Sequence, residues 1–492
     1  MLERIIEQTN EYIEKRPKHL RKQFGQFFTS KETAMYMAKM FAIPEKEEIY
    51  ILDPGAGTGI LACALIEELE RQGTAAAIHL TCYENDENVI ELLRQNLKLI
   101  QDEASMAVDV RLYEENYIVR QEKVFNGSTD IEREQKYDLI IANPPYLKLS
   151  KNAQEAICMK EICYGAPNMY FLFAAMSICN LKEGSEMVYI IPRSWTSGAY
   201  FKKFREYLFS SGVLVQMHLF VSRDKVFDKE SVLQETMIIK IRKTTKQPEM
   251  IRITSSNAND DYHNIETLEV PYNLVVSGDE RYVYLVTNEE ELAVLRRVNR
   301  LEGTLEKAGA KMKTGLVVDF RNRELLREKE TDNAVPLIYA QHIQNGLITF
   351  PIQRENEYVI PDKRALIQDN CNYLIVKRFT SKEEKRRLQS GIYLAENYKG
   401  YSYISTQNKV NFITGVSEQL SRCMVYGLYV VFNSTLYDKY YRILNGSTQV
   451  NSTEINAMPI PDKESIKCMG KELIQAGDLS EEVCDRILEE YV

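Results

Sequence analysis

Ile49-Tyr50-Ile51-Leu52-Asp53-Pro54-Gly55-Ala56-Gly57-Thr58-Gly59 says more about architecture than any other stretch of this 492-residue chain. Residues 49–52 form a short apolar run, as a buried strand does, and a helical pattern follows over 60–70. Strand, glycine loop, helix is a nucleotide-binding arrangement. The glycines are spaced G-x-G-x-G rather than G-x-G-x-x-G, and each lets the backbone approach a ligand closely or adopt positive φ. An acid at the strand end suits a cationic ligand carrying an α-amino group better than a pyrophosphate. Asp53, Gly55, Gly57 and Gly59 are therefore expected to bind S-adenosyl-L-methionine in preference to NAD.

Working outward, residues 78–83 read as a second strand ending in Glu84, which is placed to bond both hydroxyls of a ribose. An ordinary solvated strand end would look the same in isolation. A third strand over 109–113 leads to Asn116 and Tyr117, a polar side chain and an aromatic expected to hold the donor's adenine. A fourth apolar run, 137–142, delivers Asn143-Pro144-Pro145-Tyr146 to a strand's C-terminal edge, where open α/β sheets place their ligands. The chemistry of an exocyclic amine explains those residue types. Its lone pair is delocalised into the ring, so it is a poor nucleophile. The Asn143 side-chain oxygen and the Pro144 carbonyl can each accept an N–H, drawing the nitrogen toward tetrahedral geometry with no general base. Prolines fix φ and lack N–H groups, so Pro144 and Pro145 hold the carbonyls stiffly. Tyr146 offers a face on which a base can stack.

With these residues in order, the chain resembles the N6-adenine DNA methyltransferases, specifically the gamma (TaqI-like) class of type II modification enzymes. Phe24-Gly25-Gln26-Phe27-Phe28-Thr29 is similar to the family motif ahead of the first strand, which implies Phe28 and Thr29 on the methionine side of the donor. Pro167-Asn168-Met169-Tyr170 resembles a motif that usually carries an acid where this chain has Asn168. Ile190-Ile191-Pro192-Arg193-Ser194-Trp195 matches the following strand and turn. Val226-Phe227 resembles a motif that supplies a second aromatic to a flipped base, implying that role for Phe227. The family commonly has Asp where Asn116 stands. The resemblance implies adenine N6 of a specific duplex sequence as acceptor and a genetically separate nuclease as partner, unless the enzyme is an orphan.

The fold class expected is α/β: a doubly wound, Rossmann-like methyltransferase domain over residues 1–248, a linker over 249–281, and an α+β target-recognition domain over 282–492. The junction is suggested by polar, aperiodic sequence after residue 242. An amphipathic helix is expected over 287–301, then β-rich runs at 316–318, 337–339, 373–376 and 428–432, and a helical tail from about 465. A net charge of −9 argues against indiscriminate nucleic-acid binding. Locally the sign reverses: residues 371–450 hold 11 Lys or Arg against 5 Asp or Glu, interleaved with tyrosines. Lys377 and Arg378 are the expected DNA contacts in that stretch. Gln449 and Asn451, in a loop crowded with amides and hydroxyls, could each read adenine bidentately, although a turn-rich surface loop has the same composition. Nine scattered Cys with no C-x-x-C pair indicate reduced thiols and no zinc, and with no apolar run of membrane length a cytoplasmic location is expected. About two dozen residues precede Phe24, so an N-terminal nuclease domain is not expected. Two other readings compete: a methyltransferase acting on a protein glutamine amide or an RNA base, and a DNA-binding module with an inactive catalytic half. The roughly 240 residues after Pro248 disfavour the former, and intact Asp53, Glu84 and Asn143 disfavour the latter.

Overall fold

A computed structural model describes residues 1–15, 29–74, 76–127, 135–220, 236–257, 262–380, 384–445 and 448–492. The chain divides into two compact units, Met1–Thr287 and Asn288–Val492.

The first unit is built on a nine-stranded sheet: β1 (Glu48–Asp53), β2 (Ala77–Tyr83), β3 (Val108–Tyr113), β4 (Tyr137–Ala142), β5 (Leu181–Pro192), β6 (Val213–Phe220), β7 (Thr236–Arg242), β8 (Met250–Ser256) and β9 (Glu266–Pro271). The spatial order is β3-β2-β1-β4-β5-β7-β6-β8-β9. Strands β1 to β5 pair in parallel, and β7 is inserted antiparallel between β5 and β6. Chain order reverses between β1 and β4, and that is the switch point at which ligands bind in sheets of this kind. Strand alternation packs Leu139 and Ile141 of β4, with Ile49 and Ile51 of β1, against Leu61 and Leu65 of the helix Ile60–Arg71. The helix Met169–Asn180 is apolar around nearly its whole circumference and is correspondingly buried. Its insulation matters to the site, because Met169 and Phe173 emerge from it there.

Residues 249–281 are not a linker. They supply β8 and β9, which continue the sheet by pairing β8 in parallel with β6 and antiparallel with β9. The polar stretch around residue 257 lies in sequence between two strands of one sheet rather than between domains. The division falls after Thr287, where Asn288 caps the helix Glu289–Val298 by accepting from the Glu291 amide at 2.9 Å.

The second unit is mixed α and β, with a six-stranded and a five-stranded sheet followed by helices. Tyr373–Lys377 is a strand as expected, but residues 428–432 are not. They lie inside the helix Arg422–Asn433, which starts on a Ser421 cap accepting from Met424 N. Packing overrides the β propensity of Val430 and Val431. A Cβ on Gly427 would stand 1.8 Å from Ile466 O, and one on Gly470 would stand 1.8 Å from Cys423 O, so two glycines let this helix cross Lys463–Ala476 almost backbone to backbone. Residues 316–318 form no strand; Val317 makes one isolated bridge to Gln407. Among the described residues no helix is long and apolar enough to cross a membrane.

Candidate active site

Three strand ends build the site. After β1 the chain turns through Pro54–Gly59 with Gly57 at φ 54° and Gly59 at φ 86°, and Gly59 serves as N-cap of the helix Ile60–Arg71 without a side chain of its own. A Cβ on either glycine would be strained there. The loop is tied at several points: Ala56 N donates to Tyr83 O at 2.9 Å, and Gly57 N to Glu84 Oε2 at 2.9 Å. Thr58 accepts from Thr9 Oγ1 at 2.8 Å and, through its carbonyl, from Asn96 Nδ2 at 2.7 Å. Thr9 and Asn96 carry no motif signal, so their bracing of the loop was invisible to sequence reading.

Asp53 is fully buried. Its Oδ1 receives a long 3.4 Å contact from Gly55 N, while Oδ2 has no hydrogen-bond partner among the described residues. Burial, with the nearby Glu84 charge adding to it, pushes its carboxyl up to about 7. Such a group is stabilised in its charged form by a cation brought beside it. Glu84 also lies above the ordinary carboxylate range because of burial, although the amides of Gly57, Asn85 and Asp86 all donate to it.

Asn143 follows β4 and donates from Nδ2 to Thr29 Oγ1 at 3.1 Å. Tyr146 donates its hydroxyl to Ile190 O at 3.0 Å, and its ring meets Tyr170 edge-on with centroids 6.3 Å apart. The chain beyond Tyr146 closes on itself, with Leu149 N donating to Pro167 O and Met169 N to Leu147 O, so the expected motif around Asn168 returns beside the tetrapeptide.

One cavity is lined by Thr29, Gly55, Gly57, Glu84, Asn143 and Pro145, and also by Asn116 and Tyr117. Asp53, Gly59, Pro144 and Tyr146 stand behind or beside that lining. Met169 and Phe173 belong to the wall as well; sequence reading missed Phe173, whose only signal is its helical spacing from Met169. A Cβ on Gly55 would lie 3.4 Å from Phe173 Cε1, in ordinary van der Waals contact with that wall. Asn116 is committed to the backbone: its Oδ1 caps the turn Tyr117–Arg120 by accepting from Ile118 N and Val119 N, and its Nδ2 donates to Glu155. Tyr117 turns its hydroxyl into the core, toward Asn180 at 2.6 Å, with its ring edge-on to Tyr83. Phe28 and Phe227 lie outside the described residues.

The expected DNA contacts of the second unit separate. Lys377 is paired with Glu384 at 2.7 Å, and Asn451 donates to Glu454 at 3.0 Å as it begins the helix Ser452–Ala457. Arg378 and Gln449 meet each other at 3.3 Å. Much of the basic and aromatic stretch between them is interior: Tyr373, Tyr393 and Arg387 are buried, and Arg386 is held by Ser434 O and Glu481. Composition alone could not separate a snorkelling or buried arginine from one facing solvent.

Comparison with known proteins gives the family. The family model described as Eco57I restriction-modification methylase matches residues 65–227. The chain is 34% identical to the type II methyltransferase M.PstI of Providencia stuartii, over 95% of this chain and 93% of that protein. It belongs to the type II restriction-modification methyltransferases. M.BsuBI of Bacillus subtilis, another type II methyltransferase, is 32% identical over 92% of this chain and 90% of its own length. Among solved structures, the type IIL restriction-modification enzyme MmeI in complex with DNA shares the fold with a TM-score of 0.53, at 10% identity, covering 96% of this chain and 72% of that one. Both units of this type II methyltransferase thus fall within the span matched by its relatives.

Proposed function

We propose that this type II methyltransferase transfers a methyl group from S-adenosyl-L-methionine to the N6 amino group of adenine at a specific site in duplex DNA, as the modification enzyme of a restriction-modification pair. The observation that carries the reading is one cavity bordered at one end by Gly55, Gly57 and Glu84 and at the other by Asn143 and Pro145. The donor fits what borders it: among the described residues the buried Asp53 Oδ2 has no hydrogen-bond partner at the β1 end, and Gly55 presents bare backbone to the cavity. Asp53, Gly55, Gly57 and Glu84 hold the donor, which supplies an electrophilic methyl group when bound.

The chain's own residues act on the acceptor. Asn143, oriented by Thr29, and the Pro144 carbonyl accept the two amino hydrogens and keep the nitrogen lone pair available along the transfer direction. Tyr146, its hydroxyl fixed to Ile190, presents its ring to the extruded base. The base must leave the helix because N6 cannot be reached within the stack. Loss of the amino proton follows methyl transfer and needs only solvent.

The test is to incubate the protein with methyl-labelled donor and unmodified duplex DNA, then digest the DNA to nucleosides. Label in N6-methyl-2′-deoxyadenosine is expected. Label in a cytosine derivative, or only in added RNA or protein, would overturn the assignment.

A further inference from the structure

Taking a guanidinium out of water is costly unless something receives its charge. Arg378 is half-buried just beyond the strand Tyr373–Lys377, and among the described residues no carboxylate pairs with it. Its Nη1 donates to Asn408 O at 3.0 Å and its Nη2 to Gln449 Oε1 at 3.3 Å, both neutral acceptors. Burial alone acts on the group and lowers its pKa. The guanidinium carbon lies 5.5 Å from the ring centroid of Phe379, which is 39% exposed.

The frame around this arginine is fixed on both flanks. On one side Val450 N donates to Arg378 O at 2.7 Å, and Asn445 Nδ2 holds Gln449 O at 2.9 Å. Asn445 belongs to a buried network in which Tyr441 donates to Glu454 at 2.7 Å and receives Asn451 N at 3.0 Å. On the other side Arg378 N donates to Lys409 O, and the buried Gln407 braces its own turn through Asn408 Oδ1 and Lys409 N. Gly315 makes that turn possible, since a Cβ there would stand 2.0 Å from Gln407 O. A buried polar network of this size is an expensive way to hold a surface loop, and it makes sense where a side chain must be pre-positioned.

We propose that Arg378, braced by Gln449 and Asn408, determines specificity by reading a guanine edge of the DNA site. Five N–H donors serve a guanidinium, and the two bonds above leave enough of them to meet guanine O6 and N7 together, a base edge with two adjacent acceptors. Gln449 is then a positioning residue for Arg378 rather than a reader of adenine. Lys409, whose carbonyl accepts from Arg378 N, is exposed beside it. The inference rests on the DNA-methylation reading.

The experiment presents a randomised duplex pool to the wild type, Arg378→Ala, Arg378→Lys and Gln449→Ala, and sequences the methylated molecules. The wild type should require guanine at one position. Arg378→Ala should lose that preference by roughly 10- to 100-fold while keeping the others. Arg378→Lys should weaken it, because a lysine cannot make the paired contact, and Gln449→Ala should weaken the same position less. Identical profiles in all four proteins would overturn the inference, and so would a uniform drop across all sequences, the mark of a phosphate contact. Melting temperatures show which variants fold; if Arg378→Ala does not, unchanged profiles in the other two overturn it. Absence of any methylated DNA from the wild type would instead overturn the DNA-methylation reading beneath it.

Discussion

Replacing Asn143 with alanine separates the two halves of the cavity. Among the described residues its Nδ2 donates to Thr29 Oγ1 at 3.1 Å. Losing that hydrogen bond costs about 0.5–1.5 kcal/mol of stability, a fall in melting temperature of roughly 2–4 °C per kcal/mol for a unit of this size. The protein should therefore stay folded. Donor binding should also persist, because Asp53, Gly55, Gly57 and Glu84 sit on other strand ends. Under the proposed mechanism, what is lost is one of two acceptors aimed at the amine. A single preorganised group of this kind is worth about 2.7–4 kcal/mol in a water-excluded site, so methyl transfer should fall roughly 100- to 1,000-fold. Single-turnover quench with labelled donor and unmodified duplex measures the chemical step, and calorimetry measures donor affinity. Transfer within about threefold of wild type would end the acceptor role; a parallel collapse of donor affinity would move Asn143 into the donor site.

Other outcomes follow from the same geometry. Thr29→Val removes the oxygen that orients Asn143 and should slow transfer by roughly 2- to 12-fold, one neutral hydrogen bond's worth, with Thr29→Ser restoring it; failure of the serine to rescue would refute orientation as the cause. Asp53, with its folded pKa raised from 3.8 to about 7, is held neutral in the free protein below that pH, so its ionisation counts against the fold as pH rises through 7. A cationic donor reverses that preference: affinity by calorimetry should increase from pH 6 to 8 with proton release, and Asp53→Asn should flatten the profile. A flat wild-type profile would show that Asp53 does not meet the cation. Gly470→Ala forces a Cβ against Cys423 O and should destabilise the second unit by at least about 1–3 kcal/mol, seen as a lower melting temperature; an unchanged transition would mean the helices have room to part. Tyr146→Phe should bind and methylate nearly normally, since the ring is kept, whereas Tyr146→Ala should lose about 1–3 kcal/mol of base capture; equal effects of the two would point to the hydroxyl instead.

The parallel core of the first unit was legible because its signals are local. Residues 49–52, 78–83, 109–113 and 137–142 each declare a strand by apolar content, and the glycines of the β1 loop announce positive φ that no other residue adopts cheaply. Asn143-Pro144-Pro145-Tyr146 could be placed at a strand end for the same reason. What lay beyond reach were contacts between segments distant in sequence. That Thr29 would orient Asn143, 114 residues later, depends on how the helix Lys31–Lys39 docks. The strands β8 and β9 follow a polar, aperiodic stretch that reads as a linker in sequence, and only the pairing of β8 to β6 and of β9 to β8 gives them their place.

The second unit shows the other limit. Val430-Val431-Phe432 favours a strand in isolation, yet Gly427 and Gly470 bring two helix backbones together there, and close packing outweighs a propensity of about 1 kcal/mol. Charge was equally ambiguous: Lys377, Arg378, Arg386 and Arg387 are near neighbours in sequence, but one is paired with Glu384, one with Glu481 and one is buried, leaving Arg378 facing neutral partners. Backbone periodicity and glycine stereochemistry are written residue by residue, so the chain alone carries the class of fold and the strand ends that border the cavity. Which side chain meets which is settled by desolvation and packing summed over the whole molecule, and those sums exist only once the chain has closed on itself.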